Sequence, residues 1–438
     1  MRQAFSIRSK RVLLPEGEAA ATVRVRDGVI AAIDPYDTPD TPGADEEVVG
    51  DAVLMPGLVD THVHLNEPGR ADWEGFATGT AAARAGGFTT LIDMPLNSSP
   101  VTTDAEALSR KRHASDGKLS VDVGFYGGLV PGNADRMPEL LDAGVRGVKA
   151  FLCHSGIDEF PNATEADLRQ AMPILAERGV PLLVHAELVP DDAPGWPEGS
   201  DGRSYAEYLA TRPPSFEQDA IAMMIRLCRE TGCRTHLVHL ADAGCLPMIA
   251  EAKNEGLPIT VETCPHYLAF AAENIPDGFT LAKCAPPVRD ENNRRALWDA
   301  LQSGLIDMVV SDHSPAPPAM KSLEEGNFQK AWGGISSLQL GLSVVWKMAH
   351  DAGLPLRDVA AWMGACPAQL VDVPFGIAPG HPAHFFVFNP DAVWAPFPDD
   401  LLHRHKLTPY LGMAMRGKVL RTYVHGQANN DTPAGQLV

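Results

Sequence analysis

The segment GLVDTHVH at residues 57–64 carries two histidines, two positions apart, at the end of an apolar run. Positions i and i+2 of a β-strand point to the same face, so His62 and His64 would project side by side. Such a pair can also form an exposed polar face, or be buried and satisfied by backbone carbonyls. A functional interpretation therefore requires further metal-binding or catalytic side chains that converge on this pair.

Seven more apolar segments follow, and segments with helical periodicity separate them. In chain order they are FTTLIDM (88–94), VDVGFY (121–126), VRGVKAF (145–151), VPLLVH (180–185), RTHLVH (234–239), PITVET (258–263) and IDMVVSD (306–312). The intervening helices end at a glycine, as in TEADLRQAMPILAERG (164–179) and DAIAMMIRLCRETG (219–232). Eight strand-then-helix units predict an α/β protein with a (β/α)8 TIM barrel; a doubly wound parallel sheet is the alternative.

Different patterns flank the barrel. Alternating segments surround Asp27-Gly28, a dipeptide typical of a two-residue β-hairpin turn. Residues 34–47 are acidic and rich in turn formers, which predicts an exposed loop. Short apolar runs return near the C-terminus and would pair with the N-terminal strands. We therefore predict a barrel over residues 56–379 and a small composite β-sandwich domain from residues 1–55 and 380–438.

The composition is that of a globular protein with a sizeable core: 438 residues, 45% hydrophobic and 21% charged. The net charge of −20 argues against nucleic-acid binding, since phosphate recognition requires clustered Lys and Arg. The seven cysteines have no C-x-x-C spacing and are expected to be reduced thiols in the cytoplasm. We find neither the apolar region of a secretory signal nor a membrane span of roughly 20 residues, so we expect no membrane association.

Barrel enzymes carry their reactive side chains at the C-terminal ends of the strands. Five of the eight predicted strands carry a possible ligand at or near that end: the His62 and His64 pair, Lys149, His185, His239 and Asp312. One histidine at a strand end would mean little, but the same placement on five strands predicts a metal site. Imidazole and carboxylate donors favour Zn²⁺.

Lys149 is unusual in this set. A lysine that points into a barrel loses hydration, which lowers its pKa and favours the neutral, nucleophilic amine. A neutral amine can add carbon dioxide to form a carbamate, whose two oxygens can bridge two divalent cations. The alternative is a lysine paired with a nearby carboxylate, the usual state of a buried lysine.

With the carbamate in place, the set predicts two divalent cations about 4 Å apart. His62, His64 and Asp312 would bind one cation, His185 and His239 the other, with the modified Lys149 between them. Hydroxide held between the cations would be the nucleophile, and one cation would polarise the scissile carbonyl. Asp312 is the predicted catalytic residue, since it can take the proton from the attacking hydroxide and deliver it to the leaving nitrogen.

Other histidines are predicted to lie outside this set. His236 and His313 have the opposite strand parity to His239 and Asp312, so both should face the helices. His266 follows the seventh strand and is a candidate hydrogen-bond partner of a ligand rather than a ligand itself.

With these residues the chain resembles the cyclic amidohydrolases of the metal-dependent amidohydrolase superfamily, and among them most closely the allantoinases. The resemblance covers nearly the whole chain and rests on long motifs such as GVKAFLCHSGIDEFP, ETCPHYL, KCAPPVRD and HKLTPYLG, together with the segment around His62. The ligand pattern of the family falls on the same six residues, with Lys149 as carboxylysine. The resemblance also implies the barrel, the composite β domain, two metal ions and a homotetramer.

The resemblance further implies hydrolysis of the cyclic amide of allantoin to allantoate in purine breakdown. Asn66 stands where related dihydroorotases carry an Arg for a substrate carboxylate, and a neutral amide suits an uncharged ring better. Asn97 is a second candidate substrate contact, or it caps the loop that follows. His154 stands where hydantoinases carry a tyrosine that faces the substrate, or it faces solvent. Ser314 contacts substrate, or it shapes the turn before Pro315.

Two alternatives stay open. One is the same chemistry on another ring, by a dihydroorotase or by a hydantoinase or dihydropyrimidinase. The other is a non-enzymatic relative that uses the barrel as an assembly scaffold. Such proteins tend to lose ligands, whereas all six are present here.

Overall fold

The computed structural model describes residues 4–39, 45–428 and 433–438. Its strands are β1 (Phe5–Leu14), β2 (Gly17–Arg26), β3 (Val29–Pro35), β4 (Asp45–Pro56), β5 (Leu58–Val63), β6 (Phe88–Asp93), β7 (Asp122–Phe125), β8 (Gly127–Gly128), β9 (Val148–Phe151), β10 (Leu182–His185), β11 (Thr235–Leu237), β12 (Ile259–Thr263), β13 (Met308–Val309), β14 (Phe385–Trp394) and β15 (Met415–Tyr423). Its α-helices are α1 (Phe76–Ala85), α2 (Ala105–Ser115), α3 (Met137–Asp142), α4 (Glu165–Arg178), α5 (Tyr205–Ala210), α6 (Ser215–Thr231), α7 (Leu246–Asn254), α8 (Pro265–Ala269), α9 (Glu291–Gln302), α10 (Gly341–Asp351), α11 (Leu356–Ala360) and α12 (Cys366–Leu370). A π-helical turn at Ala361–Ala365 joins the last two helices.

The predicted barrel is confirmed, and its strands follow one another in chain order. One parallel sheet runs β13-β12-β11-β10-β9-β8 and a second runs β5-β6-β7. The third predicted strand is divided into β7 and β8, with Tyr126 between them. The barrel closes between its first and last strands through a bridge between Val63 and His313 and a hydrogen bond of 2.8 Å from the His64 N–H to the His313 carbonyl.

The predicted β-sandwich from the two terminal segments is also confirmed. Its strands form one sheet in the order β15-β14-β4-β1-β2-β3, so N-terminal and C-terminal strands share hydrogen bonds. The hairpin prediction is confirmed, because Asp27 and Gly28 have φ values of 53° and 79°, as a type I′ turn requires. The loop predicted at 34–47 falls partly outside the described residues, and β3 and β4 extend into its two ends. The exact domain boundaries stay predictions, since only Gly57 separates β4 from β5.

Helix α4 illustrates how the sequence fixes the helix bounds. The Thr164 side chain accepts a hydrogen bond from the Asp167 N–H, and the Asp167 carboxylate accepts one of 2.9 Å from the Thr164 N–H, which makes a capping box. Gly179 ends the helix with a φ of 66°, a left-handed value that suits glycine. The buried face of the helix includes Leu168 and Met172. No helix in the described part of the chain is long and apolar enough to cross a lipid bilayer.

Candidate metal centre

Five of the six predicted ligands meet at the end of the barrel where the strands terminate. His62 Nε2 lies 3.3 Å from Asp312 Oδ1, and His64 Nε2 lies 3.5 Å from the same oxygen. Donor atoms of His62, His239 and Asp312 all lie within 4.8 Å of one another. His185 packs edge-on against His239, with ring centres 4.6 Å apart. The structure therefore brings together side chains from four separate strands.

Lys149, the sixth predicted ligand, lies on β9. Its side chain is fully buried, and its Nζ has no hydrogen-bond partner among the described residues. Burial lowers the pKa of Lys149 to about 8, against the opposing influence of Glu262 and Asp312. The paired lysine considered as an alternative would need a carboxylate in contact, and Lys149 forms no ion pair within the described ranges.

A carboxylate that sequence reasoning missed lies behind His62. Glu262 on β12 is fully buried; one of its oxygens pairs with His62 Nδ1, and the other lies 2.9 Å from His236 Nε2. Burial alone would raise the pKa of Glu262, but the two imidazoles outweigh burial and lower it to about 2. The Nδ1 contact fixes the ring so that Nε2 faces Asp312, as expected for the partner of a metal-binding histidine. The signal in the sequence was an acidic residue inside the buried strand ITVET.

His185 has a corresponding partner, also missed. Oε2 of the fully buried Glu187 lies 2.7 Å from His185 Nε2, and the Arg212 guanidinium donates to both oxygens of Glu187. Burial would raise the pKa of Glu187, but Arg212 and His185 lower it to about 2. The signal was the carboxylate two residues after the histidine in HAE, just beyond the end of β10 at His185.

The expectation that His236 faces the helices is wrong. Its ring points to Glu262 inside the barrel and also lies 2.7 Å from the Thr260 hydroxyl. The parity argument fails because β11 ends at Leu237, and His239 lies beyond it with a φ of 39°. Strand alternation therefore does not extend from one histidine to the other.

Two further histidines flank the group. His313 is directed away from it, with Nε2 3.4 Å from Glu74 Oε2. His266 is buried near Cys264 and Asp312, and burial lowers its pKa to about 4. Its part as a partner of a ligand stays a prediction.

Four of the predicted site residues have left-handed backbone conformations. Their φ values are 39° at His239, 42° at Asp312, 64° at Asn66 and 60° at Asn97. Residues other than glycine rarely adopt such values, and asparagine does so most readily. Backbone strain of this kind is concentrated at functional sites. Here it lies two to four residues beyond the ends of strands β5, β6, β11 and β13, in the loops of the barrel mouth.

A cavity of about 320 Å³ opens onto this group. This volume lies at the lower end of the range of roughly 300–1,000 Å³ for small-molecule sites. Besides the histidines and Asp312, its lining includes four aromatic side chains and two cations: Phe151, Trp196, Tyr208, Trp332, Arg212 and Lys283. Burial lowers the pKa of Lys283 to about 8. The cavity can therefore hold a small polar ring against the donor atoms.

The four predicted substrate contacts fall into two groups. Ser314 and His154 line the cavity, although the His154 side chain is 64% exposed and lies 3.4 Å from Asp158. Asn66 and Asn97 are buried outside the cavity lining. The Asn97 amide nitrogen lies 3.5 Å from His64 Nδ1, and the amide atoms of Asn66 have no partner among the described residues.

Nearly the whole chain is similar in sequence to proteins of known family. Residues 53–428 match the amidohydrolase family. The allantoinase of Streptomyces avermitilis is 46% identical over 96% of this chain and 94% of its own length. The allantoinase of Arabidopsis thaliana is 45% identical over 96% of this chain and 87% of its own length. The solved L-hydantoinase (dihydropyrimidinase) of Arthrobacter aurescens is 28% identical, with a TM-score of 0.90 and 99% of each chain covered.

The chain therefore belongs to the amidohydrolase family. Within that family it belongs with the allantoinases, and the resemblance predicted from its motifs is confirmed.

Proposed function

We propose that the protein is an allantoinase, which hydrolyses the cyclic amide bond of allantoin to allantoate in purine breakdown. The observation that carries the proposal is the convergence of five ligand-type side chains at a barrel mouth that opens into a cavity, together with Lys149, which has no partner among the described residues. Similarity to allantoinases over 96% of the chain supports allantoin over the rings of dihydroorotases and hydantoinases.

The side chains at the barrel mouth fit two divalent cations. Two buried nitrogen atoms, Lys149 Nζ and His239 Nδ1, lack a hydrogen-bond partner in the chain as described. Imidazoles with a carboxylate are donors that suit Zn²⁺. One cation would be held by His62, His64 and Asp312, and the other by His185 and His239. Such cations, when bound, lower the pKa of water and polarise a carbonyl oxygen.

Lys149 is proposed to carry an N-carboxyl group, which would help to hold the cations. Addition of carbon dioxide to the neutral Nζ forms one C–N bond and releases one proton, which leaves an anionic carboxylate on the side chain. The buried and unpaired position of Nζ supports this form, because an unpaired ammonium is costly in such a place. The conversion turns a neutral amine into an anion beside the cations.

Asp312 is proposed as the catalytic residue that moves the proton. As water adds to the carbonyl carbon of the ring amide, the Asp312 carboxylate accepts a proton. It delivers that proton to the ring nitrogen as the C–N bond breaks. The Ser314 hydroxyl donates a hydrogen bond of 2.9 Å to Asp312 Oδ1 and so holds the carboxylate at the cavity wall.

The four polar residues near the cavity are proposed to bind and position substrate. Ser314 and His154 line the cavity and would contact the ring or its ureido group directly. Asn97 would act through His64, which its amide approaches. Asn66 lies outside the cavity lining, and its amide atoms, which have no partner among the described residues, support the proposed contact.

The protein is further proposed to be a homotetramer in the cytoplasm. The tetrameric state is inferred from the resemblance to the cyclic amidohydrolases. The cytoplasmic location is supported by seven cysteines that are all free thiols, six of them buried.

The test is an assay of purified protein with allantoin, dihydroorotate and hydantoin, with metal content measured on the same sample. We expect the highest kcat/KM with allantoin and zinc in the protein. A preference for dihydroorotate or hydantoin would overturn the proposed substrate. Turnover of none of the three by a metal-loaded sample would favour the scaffold alternative.

A further inference from the structure

A second group of metal-binding side chains lies at the opposite end of the barrel, where the β-sandwich meets it. Asp122 is the first residue of β7, whereas the candidate metal centre gathers at the ends of the strands. His384 directly precedes β14, and His425 follows β15, so both come from the sandwich. One donor atom from each of the three residues lies within 4.8 Å of the others.

The distances suit a shared ion. His425 Nε2 lies 3.1 Å from Asp122 Oδ2, and His384 Nε2 lies 3.6 Å from the same oxygen. The two imidazole rings meet edge to face, with centres 4.4 Å apart. A tetrahedral ion bound at 2.0–2.1 Å separates its ligand atoms by about 3.4 Å. The observed separations lie on either side of that value.

One donor in this group is left without a partner. The Asp122 side chain is 5% exposed, and those of the two histidines are each 12% exposed. His384 Nε2 is buried and has no hydrogen-bond partner in the described part of the molecule. Buried ring nitrogens are normally satisfied, so this atom needs a ligand that the described residues do not supply.

The local charges favour a cation. Within the residues that the structure describes, the Asp122 carboxylate pairs with the two imidazoles and accepts a hydrogen bond of 2.8 Å from the Gln436 N–H, but it meets no Lys or Arg. No cationic side chain in that part of the chain competes with a metal ion for this carboxylate.

We propose that Asp122, His384 and His425 bind a divalent transition-metal ion such as Zn²⁺, separate from the candidate metal centre. Two imidazoles and a carboxylate are a ligand set that zinc accepts, and water can fill the remaining position because both histidines are slightly exposed. The ion fastens a barrel strand to two segments of the β-sandwich. It also holds the C-terminal residues, because the Gln436 N–H is bonded to the same carboxylate.

Metal counting on the full chain tests this site. After purification with Zn²⁺ and removal of loose ions, the wild type should hold one equivalent more zinc per chain than His384→Ala or His425→Ala. The matched control is His113→Ala on α2, since His113 also lies beside a carboxylate, 3.2 Å from Asp116, but is 89% exposed. This control should keep the wild-type ratio. Equal zinc content in the wild type and in both site variants overturns the proposal.

A second measurement separates lost ligation from lost folding. His425→Cys keeps a ligand, and exchange with Co²⁺ should add a thiolate-to-cobalt charge-transfer band in the near ultraviolet that cobalt-exchanged wild type lacks. No added band in a His425→Cys protein with wild-type circular dichroism overturns the proposal. Both results are independent of which substrate the candidate metal centre acts on.

Discussion

The two ends of the barrel hold the same donor types in different surroundings. At the mouth, five of the six predicted ligands line a cavity of about 320 Å³, and buried carboxylates orient two of the imidazoles. At the base, three side chains join the start of one strand to the β-sandwich. Donor atoms alone therefore do not make a catalytic site. A cavity for substrate and fixed partners behind the donors are also needed.

The difference follows from the direction of the chain. At the mouth each strand passes into a loop, and left-handed residues such as His239 and Asp312 turn the chain there. The loops have room to enclose a ligand. At the base the sandwich packs against the strand starts, and the C-terminal residues pair with β7 through a bridge between Val123 and Leu437. A metal there has a mechanical role, because it ties segments together.

The largest expected effect is at Lys149. Lys149→Ala should lose metal and lower kcat/KM for allantoin by about 10³-fold or more, since residues that act as one unit fail together. Added acetate or propionate should restore part of both, because a small carboxylate can occupy the place of the carbamate. Metal analysis and the allantoin assay measure the effect. Lys330→Ala, at a side chain that is 64% exposed, is the control. Wild-type metal content and turnover in Lys149→Ala would show that Lys149 is not part of the metal centre.

Asp312→Asn should have the next largest effect. The amide keeps the size of the carboxylate but cannot accept the proton, so we expect kcat to fall by about 10²- to 10⁴-fold in a folded protein. Circular dichroism verifies the fold, and steady-state kinetics give kcat. Asp351→Asn, at an exposed position on α10, should behave like the wild type. Near-normal turnover in Asp312→Asn would exclude the proposed proton transfer.

Glu262→Gln tests whether the carboxylate that pairs with His62 contributes to metal binding and turnover. Glutamine cannot hold His62 and His236 as the carboxylate does, so metal affinity or turnover should fall by about 10- to 100-fold. The matched control is Glu217→Gln, a buried glutamate that pairs with Arg289 rather than with a histidine. Burial raises the pKa of Glu217 to about 7, so the neutral amide resembles a form that it already adopts. Equal metal affinities for the two variants would show that Glu262 has no orienting role.

Sequence reasoning located the strands and the residues at their ends, because apolar runs and strand termini are local features. It missed Glu262, which is 200 residues from His62 along the chain, because only the closed barrel brings the two together. It failed at His236 because strand parity applies only while the strand continues. The cluster at the base left no local motif, since Asp122 and His425 are 303 residues apart.

The smallest expected effect on turnover is at the base. Asp122→Asn should leave kcat for allantoin within about twofold of the wild type, because Asp122 lies at the far end of the barrel from the cavity. It should lower the free energy of unfolding by about 1–3 kcal/mol, since the bonds to His425 and to the Gln436 N–H weaken together. Urea unfolding followed by tryptophan fluorescence measures the loss, with Asp116→Asn as the exposed counterpart beside a histidine. A large loss of turnover with unchanged stability would reverse the roles assigned to the two ends, because the base would then influence the chemistry rather than hold the domains together.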